Sequence, residues 1–278
     1  MKTKSILLFS LSISLLSLLS LSFASCASGN KDGEKAKADY QQSLQDSIKS
    51  IQAEIESANQ RLESLRDSID QSLLNFTTVA NPREVGSYII LTSAKKNYPL
   101  SATGIAARLD ESGVFQLIAA LSGKPFNQIA VSAAGQSIES DVVPRDQGLN
   151  YQTDQLTTVM FSGRVTDSIA AFIASTPDPI TLSYRQSREV KSIKLSPNDK
   201  ELISRTFMLY KQRCQLSLLE HKIPLLHQKI NLIRVHLDNK DLAPSDSTNY
   251  RWIGLTPLLI STIKEDISIR RYILFYII

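Results

Sequence analysis

The chain has 278 residues, with 31 lysine and arginine residues against 27 aspartate and glutamate residues. A charge balance this close to neutral argues against the clustered basic face that nucleic-acid binding needs, so we expect no nucleic-acid partner. Glycine and proline are sparse, hydrophobic content is ordinary for a folded chain, and the length allows one or two structural units after processing.

The N-terminus is typical of a targeting segment. A positively charged start, Met1 to Lys4, precedes a leucine- and serine-rich apolar run that closes with Phe23-Ala24-Ser25-Cys26. Charge, length and small residues together predict a cleaved signal peptide over residues 1–25. Two alternatives stay open, namely a soluble secreted protein cut near Ala24 or Ala27, and a signal anchor retained in the membrane.

Small residues immediately before a cysteine resemble the lipobox of bacterial envelope lipoproteins. In that family the cysteine thiol receives a diacylglycerol and the peptide is cut just before it. The resemblance implies that Cys26 is the lipidation site and that an N-terminal acyl anchor holds the protein to the membrane. Ala27 and Ser28 follow, and the absence of aspartate at the second position implies the outer membrane, facing either the periplasm or the surface.

A heptad pattern predicts a first coiled-coil arm over 35–76, after a polar tether over 26–34. The apolar residues recur at alternating steps of four and three for roughly four to five heptads, and such a stripe needs a partner. They are Leu44, Ile48, Ile51, Ile55, Ala58, Leu62, Leu65, Ile69, Leu73 and Phe76.

A second arm is predicted over 196–239. Ser196 suits an N-cap, Pro197 a first helical position and Asn239 a C-terminal cap, while Pro224 interrupts the helix internally. The alternation of three and four is regular from Leu216 onward, and the length matches that of the first arm. We therefore predict an α+β fold, with a long antiparallel coiled-coil helical hairpin carrying a mostly antiparallel β domain inserted between its two arms. An ordinary helix bundle and a parallel homodimer through the first arm remain as alternatives.

Residues 77–195 lose the heptad and predict the α+β tip domain. Short β-branched and aromatic runs flank turns at 110–113 and 134–136, which indicates two hairpins. The window 165–175 is the one with helical periodicity. The polar loop 144–155 is expected to be the most mobile part of this domain.

No catalytic, cofactor or metal site is predicted. Three histidines on the second arm have spacings of six and nine, whereas helical metal ligands stand three or four apart. Cys214 is expected to be a small, buried hydrophobic residue. Acidic residues at predicted turns are expected to be solvated rather than to form a glycosidase pair, and most aromatic residues of the middle region are expected in the core. These groups comprise His221, His227 and His236; Asp110, Glu111, Glu139 and Asp141; and Tyr88, Tyr98, Phe126, Tyr151 and Tyr184.

The tail, 240–278, is of uncertain structure. Charged residues interrupt its apolar stretch too often for a bilayer span, so it would pack on the arms or lie on a membrane surface.

Together these features predict a membrane-anchored envelope lipoprotein that acts as a non-enzymatic binding or scaffolding module. Its tip domain, presented on a coiled-coil stalk, would meet a protein or glycan partner, and the coiled coil offers a route to a homo-oligomer. The alternatives are a carbohydrate-active or hydrolytic tip domain, and a periplasmic adaptor of an export system.

Overall fold

A computed structural model describes residues 31–81, 86–146, 148–177 and 179–238. The signal peptide, Cys26 and the tail 240–278 lie outside these ranges. In chain order the elements are α1 (Lys31–Leu73), β1 (Phe76–Ala80), β2 (Ser87–Leu91), a 3₁₀ helix (Thr92–Asn97), β3 (Gly104–Leu109), β4 (Phe115–Ser122), β5 (Gln128–Ala133), β6 (Gln136–Glu139), β7 (Asn150–Thr153), β8 (Leu156–Ser162), α2 (Arg164–Ser175), β9 (Thr181–Gln186), β10 (Arg188–Lys194) and α3 (Pro197–Asp238).

Two antiparallel sheets face each other as a β-sandwich. One has the order β1-β2-β3-β4-β8-β7 and the other β10-β9-β5-β6. Register pairs Leu109 with Phe115 in the first sheet and Val131 with Leu182 in the second. Paired residues of antiparallel strands point to the same face, and all four of these side chains are buried in the shared core.

A tyrosine ties the two sheets together. The hydroxyl of Tyr184, on β9, donates a hydrogen bond to the carbonyl of Gly104 at the start of β3, at 3.0 Å. The ring of Phe126 packs edge-on against Tyr184, with centroids 5.0 Å apart. Burying a tyrosine is favourable when its hydroxyl finds such a partner, so this contact fixes the spacing of the sheets.

Helices complete the core. α2 contributes Ile169 and Ile173, both fully buried. The first half of α3 contributes Ile203 and Phe207, and the Phe207 ring lies 5.4 Å from that of Phe115 on β4. The sandwich core is therefore closed by α2, which lies between β8 and β9, and by the first half of α3, which follows the last strand.

Beyond the sandwich, α1 and α3 run antiparallel and contact each other. A second, separate apolar cluster joins Ile51 and Ile55 of α1 to Leu226 and Ile230 of α3. Two cross-helix ion pairs flank the contact, Arg66–Glu220 at 2.8 Å and Lys222–Glu54 at 2.6 Å. Within the described residues, neither long helix has an apolar stretch of the length and purity that a bilayer span requires.

This arrangement corrects the predicted architecture. The chain is α+β, but its long helices do not form a coiled-coil hairpin with a β domain inserted between two arms. α3 joins the sandwich core with its first half, and Ile69 near the end of α1 does the same. Farther along, Leu219, Ile223 and Ile233 of the predicted seam are half-buried, and the two isoleucines pack against the separate cluster that joins α1 to α3. The sandwich offers a second apolar surface, so the parts of both helices that lie next to it pack into its core.

Local predictions succeed better than the global one. The two predicted hairpins are β3–β4 and β5–β6, and the helical window is α2. The tether 26–34 is wrong from Lys31 onward, where α1 already begins, and Phe76, the last predicted heptad position, starts β1. The predicted loop 144–155 contains a strand, β7. The sequence did not indicate this strand because its residues, Asn-Tyr-Gln-Thr, are mostly polar.

Candidate functional site

A buried arginine organises the outer face of the six-stranded sheet. On β3, Arg108 lies between Ala107 and Leu109, whose side chains face the sandwich core. Because side chains alternate along a strand, the Arg108 side chain points to the other face of the sheet. It is nevertheless only 1% exposed. Its guanidinium stacks over the ring of Tyr88 at 3.5 Å, and its Nε donates to Gln116 Oε1 at 2.7 Å. Nη1 donates to the Tyr98 hydroxyl at 2.5 Å, and Nη2 lies 2.9 Å from the sulfur of Met160.

These contacts hold a loop on the outer face of the sheet. The loop, residues 98–103, follows the 3₁₀ helix and begins with a cis peptide bond between Tyr98 and Pro99. The Arg108 bond fixes its start, and Thr103 Oγ1 fixes its end by accepting from the backbone N–H of Ser122 at 3.1 Å. The loop forms the wall between two clefts, because Leu100 and Ser101 line both.

The first cleft, of about 470 Å³, lies between this loop and the β7–β8 turn. Its lining mixes apolar and polar groups, and the polar ones are mostly neutral, with hydroxyls from Ser101, Tyr151 and Thr158 and an amide from Gln155. Asp154 is the one carboxylate among the described residues that line it. Hydroxyl and amide groups can each donate and accept hydrogen bonds, so this lining suits a polar, largely uncharged ligand.

The second cleft, of about 320 Å³, lies between the loop and the start of α3. Leu202 and Ala94 make part of it apolar, and Asp199 supplies a carboxylate at its edge. Asp199 is held by Ser196, whose Oγ accepts from the Asp199 backbone N–H at 3.0 Å and donates to its Oδ2 at 2.7 Å. The predicted N-cap at Ser196 is thus confirmed. Each cleft has one described carboxylate, whereas glycoside hydrolysis uses a pair.

The aromatic residues singled out by sequence separate into three groups. Phe126 and Tyr184 belong to the sandwich core, as expected. Tyr88 and Tyr98 surround Arg108 instead, and Tyr151 lines the first cleft. The sequence signal for this region was the charge of Arg108 within the otherwise apolar strand Gly-Ile-Ala-Ala-Arg-Leu.

The three histidines do not converge. His221 bonds the carbonyl of Ser217 on its own helix at 2.7 Å, and His236 bonds the Tyr40 hydroxyl across the helix pair at 3.0 Å. No group of three or more histidine, cysteine or acidic residues that could hold a metal ion occurs in the part of the chain the structure describes.

Cys214 packs half-buried against the core beside Tyr210 and Asp167. The Tyr210 hydroxyl donates to Asp167 Oδ2 at 3.2 Å. Burial raises the pKa of the Cys214 thiol above its ordinary value, and the charge of Asp167 adds to that rise. A protonated thiol is a poor nucleophile, so the environment of Cys214 matches the small hydrophobic residue expected from sequence.

The acidic residues at turns hold the fold locally. Asp110 closes the β3–β4 turn by accepting from the Val114 backbone N–H at 2.9 Å, and Glu139 pairs with Arg185. Glu111 accepts from both the backbone and the hydroxyl of Ser87, and these bonds hold the pKa of its carboxyl below the usual range.

A carboxylate also orders the loop between β6 and β7. Asp146 Oδ1 accepts from the backbone N–H groups of Gly148, Leu149 and Asn150, at 2.9, 2.5 and 3.1 Å. The bonds from Leu149 and Asn150 lower the pKa of Asp146 most. This turn precedes β7 and so helps to place Tyr151 at the cleft.

Comparison of the chain with protein-family models, with curated proteins and with solved structures finds no match.

Proposed function

We propose that this chain is a lipid-anchored lipoprotein of the bacterial outer membrane whose β-sandwich is a non-enzymatic binding module. The observation that carries the proposal is the apolar run ending in Phe23-Ala24-Ser25-Cys26. The cysteine thiol would carry the acyl anchor, and the mature chain would begin there. Partners would be the membrane, through this anchor, and a glycan or protein at the sandwich.

The geometry of α1 supports a sandwich that is separated from the anchor. α1 begins at Lys31, shortly after Cys26, and reaches the sandwich core at Ile69. At ~1.5 Å per residue that stretch of helix is roughly 55–60 Å long. The binding module would therefore not be crowded against the acylated residue.

The first cleft supports a glycan as the partner. Sugar hydroxyls both donate and accept hydrogen bonds, and the cleft offers hydroxyls and an amide with the same capacity. Tyr151 adds an aromatic side chain with an apolar body and a polar end, which suits packing against a sugar ring.

Metabolic labelling with an alkyne-bearing palmitate tests the anchor. We expect the full chain expressed in bacteria to take up label, Cys26→Ser to lose it, and Cys214→Ser, the matched control, to retain it. Label that persists in Cys26→Ser, or that is absent from the unaltered chain, contradicts the anchor.

Binding to a panel of immobilised bacterial oligosaccharides tests the module. Some member of the panel should bind the unaltered protein, and Tyr151→Ala should lose about tenfold or more in affinity, as expected for a lost aromatic anchor. Tyr40→Ala, on the helices, serves as control. If no oligosaccharide binds the unaltered protein, or if the unaltered protein and Tyr151→Ala bind equally well, the result argues against a glycan in this cleft.

A further inference from the structure

The ladder between β2 and β3 stops after one residue pair. Ile89 pairs with Leu109, and no other pair joins these two strands among the described residues. β2 ends at Leu91, where the chain enters the 3₁₀ helix, whereas β3 pairs with β4 over its whole length from Gly104 to Leu109. The edge of β3 that faces away from β4 is therefore open over most of the strand.

The backbone groups at this open edge belong to Ile105 and Ala107. Asp110, the residue after β3, donates from its backbone N–H to the Val114 carbonyl at 3.1 Å, on the side of β4. Backbone groups alternate in direction along an antiparallel strand, so the N–H and C=O groups of Ile105 and Ala107 point away from β4. No strand in the described part of the chain pairs with them on that side.

This open edge lines the second cleft. Ile105 and Ala107 are among its lining residues, with Ala94 and Leu202. The side chains of Ile105 and Ala107 lie in the sandwich core, so their main chain is what they present to the cleft. Unpaired backbone groups at a strand edge are a template for another strand, and extended peptides bind proteins by adding to such an edge.

Asp199 gives the second cleft a negative charge. It is the one charged residue among the described residues that line the cleft, and Lys95 and Lys96 of the 3₁₀ helix are exposed and lie outside the lining. No described lysine or arginine forms an ion pair with Asp199. Lys200, its neighbour in the chain, donates to a backbone carbonyl elsewhere. A carboxylate in this position favours a ligand that brings a cation.

We propose that the second cleft binds an extended peptide whose backbone pairs with the edge of β3 at Ile105 and Ala107. A lysine or arginine side chain of the peptide reaches Asp199, and an apolar side chain packs against Leu202. The inference rests on the proposed role as a binding module and names the chemistry of the protein partner. A peptide suits this cleft better than a sugar, because a strand edge presents donors and acceptors at the spacing of a polypeptide backbone.

Binding of synthetic peptides tests the site. The protein is residues 26–278 with Cys26→Ser, and the probes are capped, end-labelled hexapeptides whose central residues vary over lysine, glutamate, leucine, valine and threonine. Fluorescence anisotropy measures their affinities. We expect binding by members that combine lysine with leucine or valine, and a loss of about tenfold or more when glutamate replaces the lysine. A set in which no peptide binds overturns the proposal.

Backbone methylation tests the strand pairing itself. Methylating one amide nitrogen at a time along the bound peptide removes an N–H group and keeps every side chain. In a paired strand only every second N–H points to β3. Affinity should therefore fall by about tenfold at alternate positions and stay within about twofold at the positions between them. A loss at every position, or at none, overturns pairing with β3.

A matched pair of protein variants tests the location. Asn97 is exposed and lines the second cleft, so Asn97→Arg places a bulky cation at its mouth. Ser93→Arg is the control, at an exposed position of the same 3₁₀ helix outside the lining. We expect Asn97→Arg to weaken peptide binding by about tenfold and Ser93→Arg to leave it unchanged. Equal effects of the two variants overturn the location.

Asp199→Asn should abolish the preference for lysine over glutamate, while an asparagine oxygen can still accept from the Ser196 hydroxyl. Circular dichroism confirms that the variant keeps its helical content. A lysine preference that persists overturns the role of Asp199. Tyr151→Ala, which tests the glycan in the first cleft, should bind the peptides as the parent does, so either proposal can fail without the other. Loss of peptide binding in Tyr151→Ala would place the peptide in the first cleft and overturn this inference.

Discussion

The guanidinium of Arg108 lies 3.5 Å from the centroid of the Tyr88 ring, on the face of the sheet that points away from the sandwich core. A fully buried arginine is costly unless its donors are satisfied. The Tyr88 ring, the side-chain oxygens of Gln116 and Tyr98, and the thioether of Met160 surround the Arg108 guanidinium. The same contacts fix the loop that shapes both clefts, so the arginine links stability to the candidate site.

Replacing Arg108 by methionine should destabilise the protein by about 2–3 kcal/mol, because the Tyr98 hydroxyl and the Gln116 amide lose a buried partner. Urea unfolding followed by circular dichroism measures the change. Arg188→Met, at an exposed position of β10, should stay within about 0.5 kcal/mol of the parent. Similar midpoints for the two variants would show that the Arg108 contacts contribute nothing net.

Ile55→Ala should loosen the far parts of α1 and α3 without opening the sandwich. Ile55 belongs to the apolar cluster with Leu226 and Ile230, which is separate from the sandwich core. The substitution removes buried methylene groups at a cost of about 2 kcal/mol or more. Hydrogen exchange should then speed up around 44–58 and 223–236 but not in β3 and β4.

Leu232→Ala provides the comparison for that experiment, since Leu232 is partly exposed on the same helix. We expect hydrogen exchange of Leu232→Ala to differ little from that of the parent in the same segments. Faster exchange in β3 and β4 of Ile55→Ala would mean that helices and sandwich unfold as one cooperative unit.

The thiol of Cys214 should react slowly with iodoacetamide at pH 7. Burial raises the thiol pKa, so the reactive thiolate forms only above the ordinary value of 9.0. Asp167→Asn removes a nearby negative charge and should shift the pH–rate profile toward lower pH. A Cys26→Ser background leaves one thiol to follow, and the urea-unfolded protein gives the reference rate. A folded thiol that titrates at or below that reference would refute this environment.

Glu111→Gln should change how stability depends on pH. The hydrogen bonds from Ser87 lower the pKa of this carboxyl in the folded state below the ordinary value for glutamate. The stabilisation that the Glu111 carboxylate contributes is therefore present above the unfolded pKa and is lost as the pH falls through the folded pKa.

Unfolding measured at pH 7 and pH 3 reports this contribution. The parent should exceed Glu111→Gln in stability at pH 7, and the difference should shrink at pH 3. Glu63→Gln, at an exposed position of α1, should match the parent at both values. A difference that is constant with pH would assign the effect to the lost contacts and not to the charge.

Sequence reasoning located most strands but not their assembly. Turns at 110–113 and 134–136 are local features, and both hairpins follow from them. The heptad of α1 was real as a stripe, yet its last buried residue, Ile69, packs into the sandwich. Which surface an amphipathic stripe meets depends on tertiary contacts that periodicity does not encode.

The candidate site was largely invisible in the sequence for a similar reason. The first cleft brings Ser101 to the β7–β8 hairpin, about fifty residues away in the chain, where Tyr151 pairs with Thr158. In the sequence, Tyr151 is one of several scattered aromatic residues, and nothing around it indicates a cleft. Its strand, β7, pairs with β8 at the sheet edge, and that pairing, together with the turn at Asp146, brings Tyr151 to the cleft.

The central claim is tested most directly by intact-mass spectrometry of the full 278-residue chain expressed in bacteria and extracted from membranes. We expect a mature protein that begins at Cys26 and carries a diacylglyceryl group on that residue. A protein that begins at another residue without lipid, or that retains Met1 and the apolar run, would contradict the lipoprotein assignment.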